Sequence, residues 1–537
     1  MDERWTVAGQ LRHGAETQPD APMFTVGQQV TTWSQMAARA GTVAHALRAD
    51  GVGPGERVAF IDRNGLPHFE TLYGAALAGG THVAVNWRLV PGEVAAVVAD
   101  ARPKVLVVAE ESLPLCDDLL GVGPATVGIE RVVVIASPAS TPSSERPGAG
   151  TELVAYEDWL ADRPAADPGH RPGEAAPILQ LYTSGTTGTP KGVMLSNANL
   201  ASAIANAGQS FKVDDQTVSL VAMPLFHIGG IGWALCAMSR GGQSVVLRDM
   251  DPNTLLELVE RYRVTETFVV PAVLMALLGT PAIATTDLSS LRTIFYGASP
   301  IAEDVLARCL ARFGCGFAQL YGMTETTGAI TILAPEDHDP TGPRRHLLRS
   351  AGRPLPAVEL RVVDPESGTP VPTGTVGEVQ ARSPYTMLGY FNRPQETAAV
   401  LLADGWLRTG DAGSLDEAGY LFLHDRIKDM IVSGGENIYP AEVENVLLAH
   451  PHVADVAVIG VPDDRWGETV KAVVVAAPDA PPDLGDQLIG FCRQRLAHYK
   501  CPTSVDLVAA LPRNPTGKIL KRELREPYWR DRARRVG

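Results

Sequence analysis

The sequence predicts an α/β protein in two unequal parts: a large N-terminal domain of layered α/β subdomains with a small β region attached, followed by a small α+β domain. Three observations predict it. Up to about residue 135, and again from 244 to 299, short apolar runs alternate with stretches that carry apolar residues at helical spacing, the pattern of parallel strands layered with helices. Between Val358 and Leu423 the texture changes to short alternating strands with Gly and Pro turns, and beyond Asp425 to a compact mixture of helix and strand. At 537 residues the chain also exceeds what one ordinary core accommodates, so a division into domains is required.

Taken in order, Arg57–Ile61, His82–Val85, Lys104–Val108 and Arg131–Ile135 read as buried strands, with helices at Ser34–Leu47 and Phe69–Leu77. Ser137–Gly148 and Pro164–Pro177 are Pro-rich connections on the surface. Ile178–Leu181 is a further buried strand, and Ser244–Leu247, Thr267–Val270 and Arg292–Ser299 resume the alternation. Ser299 reads as a helix cap, with Pro300 at the first helical position and Glu303 and Asp304 in the first turn. In the small domain Pro440–Leu448 and the stretch around Leu488–Leu496 read as helices, Val453–Ile459 and Lys471–Val475 as strands. The boundary is placed between Asp425 and Lys428, giving domains 1–427 and 428–537. No repeat of fixed period is visible, which argues against a solenoid.

Bulk composition narrows the function. With 45% hydrophobic and 20% charged residues the chain has the makeup of a soluble globular protein, and no apolar run approaches the roughly 20 residues that span a bilayer. The start, Met1-Asp-Glu-Arg-Trp5, lacks a basic segment leading into an apolar one, so a cytoplasmic location is expected. A net charge of −15 disfavours a nucleic-acid partner or a general anionic-membrane binder, while peripheral membrane contact and a homodimer stay open. The six cysteines (Cys116, Cys236, Cys309, Cys315, Cys492, Cys501) show neither CxxC pairing nor metal-ligand spacing with His, and read as incidental thiols. A basic run from Lys518 to Arg535 is a local exception to the acidity, mostly a solvated tail.

The most informative stretch is Tyr182-Thr-Ser-Gly-Thr-Thr-Gly-Thr-Pro-Lys-Gly192, which follows the strand Ile178–Leu181. Gly185, Gly188 and Gly192 let backbone approach an anion, Thr183, Ser184, Thr186, Thr187 and Thr189 offer hydroxyls, and Lys191 supplies positive charge. A polyphosphate is the expected occupant. The loop is not a Walker A motif: Pro190 precedes the lysine where that motif has Gly, and Gly192 follows it where Ser or Thr is needed.

Further on come Tyr321-Gly-Met-Thr-Glu325, Thr409-Gly-Asp411, Asp425-Arg-Ile-Lys-Asp-Met-Ile-Val-Ser-Gly-Gly-Glu-Asn-Ile-Tyr-Pro440 and Asn514-Pro-Thr-Gly-Lys518. Together with the phosphate loop, and in this order, they resemble the adenylate-forming superfamily of acyl-CoA synthetases, aryl-CoA ligases, peptide-synthetase adenylation domains and luciferases. In texture the chain is most similar to bacterial fatty-acyl-CoA ligases.

That resemblance implies roles residue by residue. Thr183, Ser184, Gly185, Thr186, Thr187, Gly188 and Lys191 would hold the ATP phosphates; Thr324 would contact the α-phosphate and Glu325 would help hold Mg²⁺, an oxygen ligand for a hard cation. Asp411 would accept bonds from the ribose hydroxyls, with Arg426 closing on the ribose or its phosphate. Gly297, Ala298 and Ser299 would lie along adenine, with Tyr321 and Gly322 beside it. Lys518 would bridge the acyl carboxylate and the α-phosphate. His227 lies in Met223-Pro-Leu-Phe-His-Ile-Gly-Gly230 and would stand between the acyl pocket and the entry of the thiol, although a satisfied core histidine has the same local pattern. Gly230, Trp233, Gly297 and Met323 would line that pocket, and Ser433, Gly434, Gly435 and Asn437 would border the channel for coenzyme A. Lys428 matches the hinge about which the family's small mobile domain swings.

The expected activity is an ATP-dependent ligation in two steps: a carboxylic acid and ATP give acyl-AMP and pyrophosphate, and coenzyme A then takes the acyl group. Medium- or long-chain fatty acids are the expected substrates, because Gly229, Gly230 and Gly232 would leave a deep channel; Trp233 would instead shorten it and favour an aryl or alicyclic acid. Delivery to a separate carrier protein is the third alternative. From a different class, a silent ATP-binding scaffold is opposed by the joint presence of Lys518, Glu325 and Asp411, and a conventional P-loop NTPase by Pro190.

Overall fold

The structure, a computed structural model, describes residues 2–121, 127–136, 153–183, 190–434, 436–513 and 519–530. Among these the strands form four sheets. Two are large, mostly parallel and covered by helices; they make the body of the large N-terminal domain. A four-stranded antiparallel sheet, Glu359–Val363, Gly377–Arg382, Leu407–Leu415 and Leu421–Arg426, is the expected β region. The fourth sheet, with Val453–Asp463 and Gly467–Ala476 at its centre, belongs to the small C-terminal domain.

In the first large sheet Arg57–Ile61 pairs in parallel with Thr81–Ala84 on one side and Val105–Ala109 on the other, and Arg131–Ile135 follows. Thr81–Ala84 and Val105–Ala109 are buried along their whole length, as expected where helices cover both faces of a sheet. Of the helices Trp33–Ala49 and Leu66–Ala78, the second packs on its strands and the first on the second, so closely that a Cβ on Gly74 would meet Val43 at 2.5 Å. A capping box between Thr32 and Gln35 starts the first of these helices.

The strand Pro177–Thr183 extends this sheet beside Thr81–Ala84 and turns back as Lys191–Ser196, antiparallel to itself, with Thr183 opposite Lys191. The two strands therefore form the arms of a β-hairpin, and residues 184–189, which connect them, lie outside the described residues. In a Walker A site the loop runs into a helix instead, so the chain geometry separates the two designs where the sequence separated them by Pro190 and Gly192.

In the second large sheet the parallel strands Val218–Val221, Gln243–Val246, Glu266–Val269, Thr293–Gly297 and Gly316–Met323 lie side by side, and Gly328–Leu333 returns antiparallel to the last of them. Its helices include Ile228–Met238, which packs on the strands Val218–Val221 and Gln243–Val246.

One local expectation is corrected. Ser299 does not cap a helix: the helix is Glu303–Phe313, with Ala302 at its cap. Ala298 takes a left-handed backbone (φ 66°) that turns the chain off the end of Thr293–Gly297, and residues 299–302 bring it back so that Ile301 joins the core of this layer. The acidic pair Glu303 and Asp304 still occupies the first turn, where the helix dipole favours it. The stretch read around Leu488–Leu496 forms a helix one turn earlier, Leu484–Arg493. The connection 137–148 lies outside the described residues.

Candidate active site

The candidate residues come from strands of the two large sheets and of the antiparallel sheet. At the C-terminal end of the strand Thr293–Gly297, Gly297 is required by contact: a Cβ there would lie 2.1 Å from the carbonyl oxygen of Leu320 on the next strand. Ala298 and Ser299 follow it, exposed, at the carboxyl end of a parallel strand, the usual ligand position in α/β sheets. On the neighbouring strand Gly322 allows equally close approach, its hypothetical Cβ meeting the Gly328 carbonyl oxygen at 1.9 Å. The conformational demand at both positions explains the small residues without appeal to the ligand.

Tyr321 and Asp411, from different sheets, are brought together. The Tyr321 hydroxyl donates to Asp411 Oδ2 at 2.7 Å, and Asp411 is only 8% exposed. Its backbone N–H donates to the Thr409 hydroxyl at 3.1 Å, so the Thr-Gly-Asp turn fixes its own aspartate. Arg426 is the cross-strand neighbour of Asp411 in the backbone register, which sets the two positions side by side.

Thr324–Thr326 form one 3-10 turn, held by the Thr326 hydroxyl, which accepts from the Met323 N–H and donates back to carbonyls of Met323 or Gly328. Thr324 is half-buried and Glu325 buried, with Glu325 Oε1 accepting a hydrogen bond from the Tyr390 hydroxyl at 2.8 Å. The Lys191 ammonium stands over the same Tyr390 ring, 5.1 Å from its centre. Among the described residues neither Glu325 nor Lys191 has an oppositely charged partner. A buried carboxylate that shares Tyr390 with a lysine, neither having a charged partner among the described residues, suits a divalent cation carried in on phosphate oxygens: Mg²⁺ takes one or two protein carboxylates and the substrate's phosphates. Glu325 fits that group.

His227 caps the helix Ile228–Met238 from its N-terminal side. Burial, with a smaller contribution from the Arg88 charge, lowers its pKa to about 3, and among the described residues its Nε2 has no hydrogen-bond partner. It is neutral at physiological pH and poorly suited to serve as a base. Gly230 is pressed against the Pro224 carbonyl, 2.2 Å from a hypothetical Cβ, and Gly229 faces the Phe268 ring at 3.0 Å. Trp233 is 6% exposed and fenced by Phe295, Phe211 and Phe268, with ring centres 5.0, 6.2 and 6.2 Å away. Met323 is half-buried and packs on the same core.

In the small domain, Gly434 has a left-handed backbone (φ 61°), and its N–H donates to the Trp466 carbonyl at 2.9 Å. A Cβ there would come within 2.7 Å of the Trp466 ring, which is 47% exposed. Ser433 precedes it at the end of the strand Ile431–Ser433. Lys428 lies in the 3-10 turn Ile427–Asp429, and the next residue, Asp429, pairs with Arg525 of the C-terminal helix Lys521–Trp529 at 2.9 Å. Ser184, Gly185, Thr186, Thr187 and Gly188, with Gly435 and Lys518, lie outside the described residues, and of Arg426, Lys428 and Asn437 the backbone alone is described.

Two residues that sequence reading missed belong to this geometry. Tyr390 joins Glu325 to Lys191 from a two-residue strand, Gly389–Tyr390, that pairs with the far side of the phosphate hairpin. Trp466, at the tip of a hairpin, backs the Ser433-Gly434 loop. Neither has a local motif; only an exposed tryptophan in a polar turn hinted at the second.

A hairpin arm with a lysine that has no anionic partner among the described residues, a buried carboxylate joined to it by a phenol, and an aspartate held by a second phenol fit an enzyme that handles a nucleoside polyphosphate. Residues 11–391 match the family of AMP-binding enzymes, and residues 442–518 the C-terminal domain of AMP-binding enzymes. The chain belongs to this adenylate-forming family. Among its relatives, a fatty acid–[acyl-carrier-protein] ligase, ScoC of Streptomyces coeruleorubidus, is 39% identical over 97% of this chain and 96% of its own length. A feruloyl-CoA synthase of an Amycolatopsis species is also 39% identical, over 96% and 97%. Among solved structures, ATP-bound MatB from Rhodopseudomonas palustris superimposes with a TM-score of 0.85 at 31% identity, over 98% of this chain and 99% of that one. No helix among the described residues is long and apolar enough to cross a membrane.

Proposed function

We propose that this enzyme is an ATP-dependent carboxylic acid:coenzyme A ligase, forming acyl-AMP and pyrophosphate and then acyl-CoA and AMP. The observation that carries the proposal is the chain Glu325–Tyr390–Lys191, which joins the Thr324–Thr326 turn to the strand Lys191–Ser196, together with the Asp411–Tyr321 pair on the strand that leads into that turn. Asp411, oriented by Tyr321, takes the ribose hydroxyls, and Arg426 beside it the ribose or its phosphate. Thr324 meets the α-phosphate, and the hairpin hydroxyls with Lys191 hold the β- and γ-phosphates. When bound on Glu325, Mg²⁺ supplies neutralisation of phosphate charge. Catalysis of the first step is then a matter of bringing a carboxylate in line with the α-phosphorus while Lys518 neutralises charge between them.

The second step needs a different face of the small domain. We place the division at residues 427/428 and the pivot at Lys428, so that Lys518 serves acyl-AMP formation and Ser433, Gly434, Gly435 and Asn437 serve the thiol. Gly434 has a left-handed backbone and lies on Trp466, so backbone and not a side chain faces out at this point of the loop. Fixing the pivot with Lys428→Pro is expected to leave acyl-AMP formation largely intact and to cut thioester formation steeply; equal loss in both steps removes the pivot.

For the acyl group two readings compete. A medium- or long-chain fatty acid requires the glycines of the helix Ile228–Met238 to open a channel. The packing favours an aryl or other compact acid: Gly229 and Gly230 are used up in contact with Phe268 and the Pro224 carbonyl, and Trp233 closes that direction with three phenylalanines. Pyrophosphate release with fatty acids of graded length beside benzoate and cinnamate analogues decides it. Highest kcat/KM on acids longer than about eight carbons restores the fatty-acid reading. Thioester formation on coenzyme A, measured against a phosphopantetheinylated carrier protein, separates the two acceptors.

A further inference from the structure

The segment 385–391 leaves the antiparallel sheet between its second and third strands, crosses the site and returns. Its hydrogen bonds alternate between the two halves of the phosphate machinery. Toward the Thr324–Thr326 turn, the Tyr385 carbonyl accepts from the Thr327 hydroxyl, and the Met387 N–H donates to the Glu325 carbonyl at 2.9 Å. Toward the phosphate hairpin, the Leu388 N–H donates to the Met194 carbonyl at 3.0 Å and the Phe391 N–H to the Gly192 carbonyl at 2.8 Å. Between these backbone stitches stands Tyr390, 8% exposed, with its hydroxyl on Glu325 Oε1 and its ring under Lys191. Gly389 makes the crossing feasible: its backbone is left-handed in φ (141°), and a Cβ would strike Thr397 at 2.7 Å.

We propose that Tyr390 is the positioning residue of the metal–phosphate site, aiming the Glu325 carboxylate at the cation through its hydroxyl and setting the height of Lys191 through its ring. The inference rests on the assignment of Glu325 as the protein's ligand to Mg²⁺. Its physical basis is that the phenol donates to one carboxylate oxygen and so turns the other toward the incoming ion. A buried carboxylate with a single neutral donor is otherwise free to rotate. The ring face, carrying negative quadrupole charge, keeps the Lys191 ammonium, which has no anionic partner among the described residues, near the hairpin without neutralising it, so the charge remains available for phosphate.

Two substitutions separate the two contacts. Tyr390→Phe keeps the ring and removes the hydroxyl; Tyr390→Leu removes both. The readout is binding: titration of Mn²⁺ in the presence of a non-hydrolysable ATP analogue, followed by electron paramagnetic resonance, and of the metal-free analogue followed by calorimetry. Tyr390→Phe is expected to weaken Mn²⁺ about tenfold, as loss of a hydrogen bond to a charged group does, with metal-free nucleotide affinity unchanged. Tyr390→Leu is expected to weaken the metal-free nucleotide as well. In a double-mutant cycle Tyr390→Phe should add nothing to Glu325→Gln, because the hydroxyl acts through that carboxylate. An additive loss overturns the proposal, and so does wild-type Mn²⁺ affinity in Tyr390→Phe while Glu325→Gln is impaired. Wild-type Mn²⁺ affinity in Glu325→Gln overturns the metal assignment itself, and the positioning role with it.

Discussion

The large and small domains hold their functional residues by different means. In the large domain the site residues are fixed by neutral donors and by backbone contact: a phenol on Asp411, a phenol on Glu325, and strands pressed together at Gly297 and Gly322. In the small domain the segments flanking Lys428 and Lys518 are tied by ion pairs. Arg525 meets Asp429 with both side chains nearly buried, Lys521 meets Glu444 at 2.9 Å, and Lys500 meets Glu442 at 2.7 Å. The core differs too, since the main cluster of the small domain is aliphatic with two cysteines, whereas that of the large domain contains Trp33, Tyr73, Phe24, Phe60 and Phe69 fully buried. Neutral, packed contacts suit a site that must keep its donors and acceptors free for a charged ligand. Ion pairs suit the unit proposed to swing, which would have to stay rigid internally while it changed its neighbours.

If the two domains divide the chemistry in this way, Lys518→Ala produces the largest and most one-sided effect. Removing one preorganised cation typically costs about 10²- to 10³-fold, and the loss should fall on pyrophosphate release alone. Thioester formation from synthetic acyl-AMP is expected to stay near normal, because the lysine has by then left with its domain. A fall in both, with unchanged circular dichroism, means that Lys518 acts in both steps and that the division is wrong.

Asp411→Ala tests the large domain's side of the comparison. It removes hydrogen bonds from a charged acceptor to the ribose, each worth about 1.5–3 kcal/mol, so KM for ATP should rise at least tenfold. The fold should be nearly unaffected, since Tyr321 loses one exchangeable partner. An unchanged KM for ATP takes Asp411 out of the site.

The small domain's reliance on ion pairs is sharpened by Arg525→Met, which leaves Asp429 with an uncompensated charge beside the pivot. Breaking a buried pair in this way costs about 3–5 kcal/mol, and it should appear as earlier unfolding of the small domain in calorimetry or hydrogen exchange. If only the large domain is destabilised, the pair does not hold the C-terminal helix.

How much of this was legible follows from where the forces act. Arg57–Ile61, Arg131–Ile135 and Pro440–Leu448 were read to the residue, because a run of buried apolar side chains, or a proline at the first helical turn, is a local cause. The helix start at Glu303 was misread from Ser299-Pro300 because a left-handed Ala298, imposed by the strand end, outweighs a good capping sequence. The candidate site residues that carry a motif were read from that motif. Tyr390 was not, since its two partners come from segments far away in the chain and a Gly-Tyr pair in a turn carries no signal. The use of Gly229 and Gly230 was also hidden: a glycine that opens a channel and one that admits a carbonyl look alike until the neighbour is known.

The smallest expected effect separates the two cores by pH. His68 and His82 are fully buried in the large domain with their Nε2 atoms 3.2 Å apart, and the Nδ1 of each has no partner. Burial lowers the pKa of both, that of His82 to about 3, and for His68 the neighbouring His82 adds to the effect. Their ordinary value is 6.5. Above that value both states are neutral and the pair costs nothing. As pH falls below 6.5 the unfolded chain takes up protons that the folded chain refuses, so stability declines with pH until the folded values are reached. Between pH 6 and pH 5 the loss is about 1 kcal/mol per histidine by proton linkage. Replacing both together, His68→Leu with His82→Leu, avoids leaving one ring unpaired and should flatten that part of the large domain's stability curve while the small domain's transition is unchanged. Denaturant midpoints at pH 7, 6 and 5 for the wild type and the double variant provide the check. His227, whose pKa burial also lowers to about 3, leaves part of the slope in place; a slope unchanged by the double replacement means that the large domain owes its pH dependence to groups outside this pair.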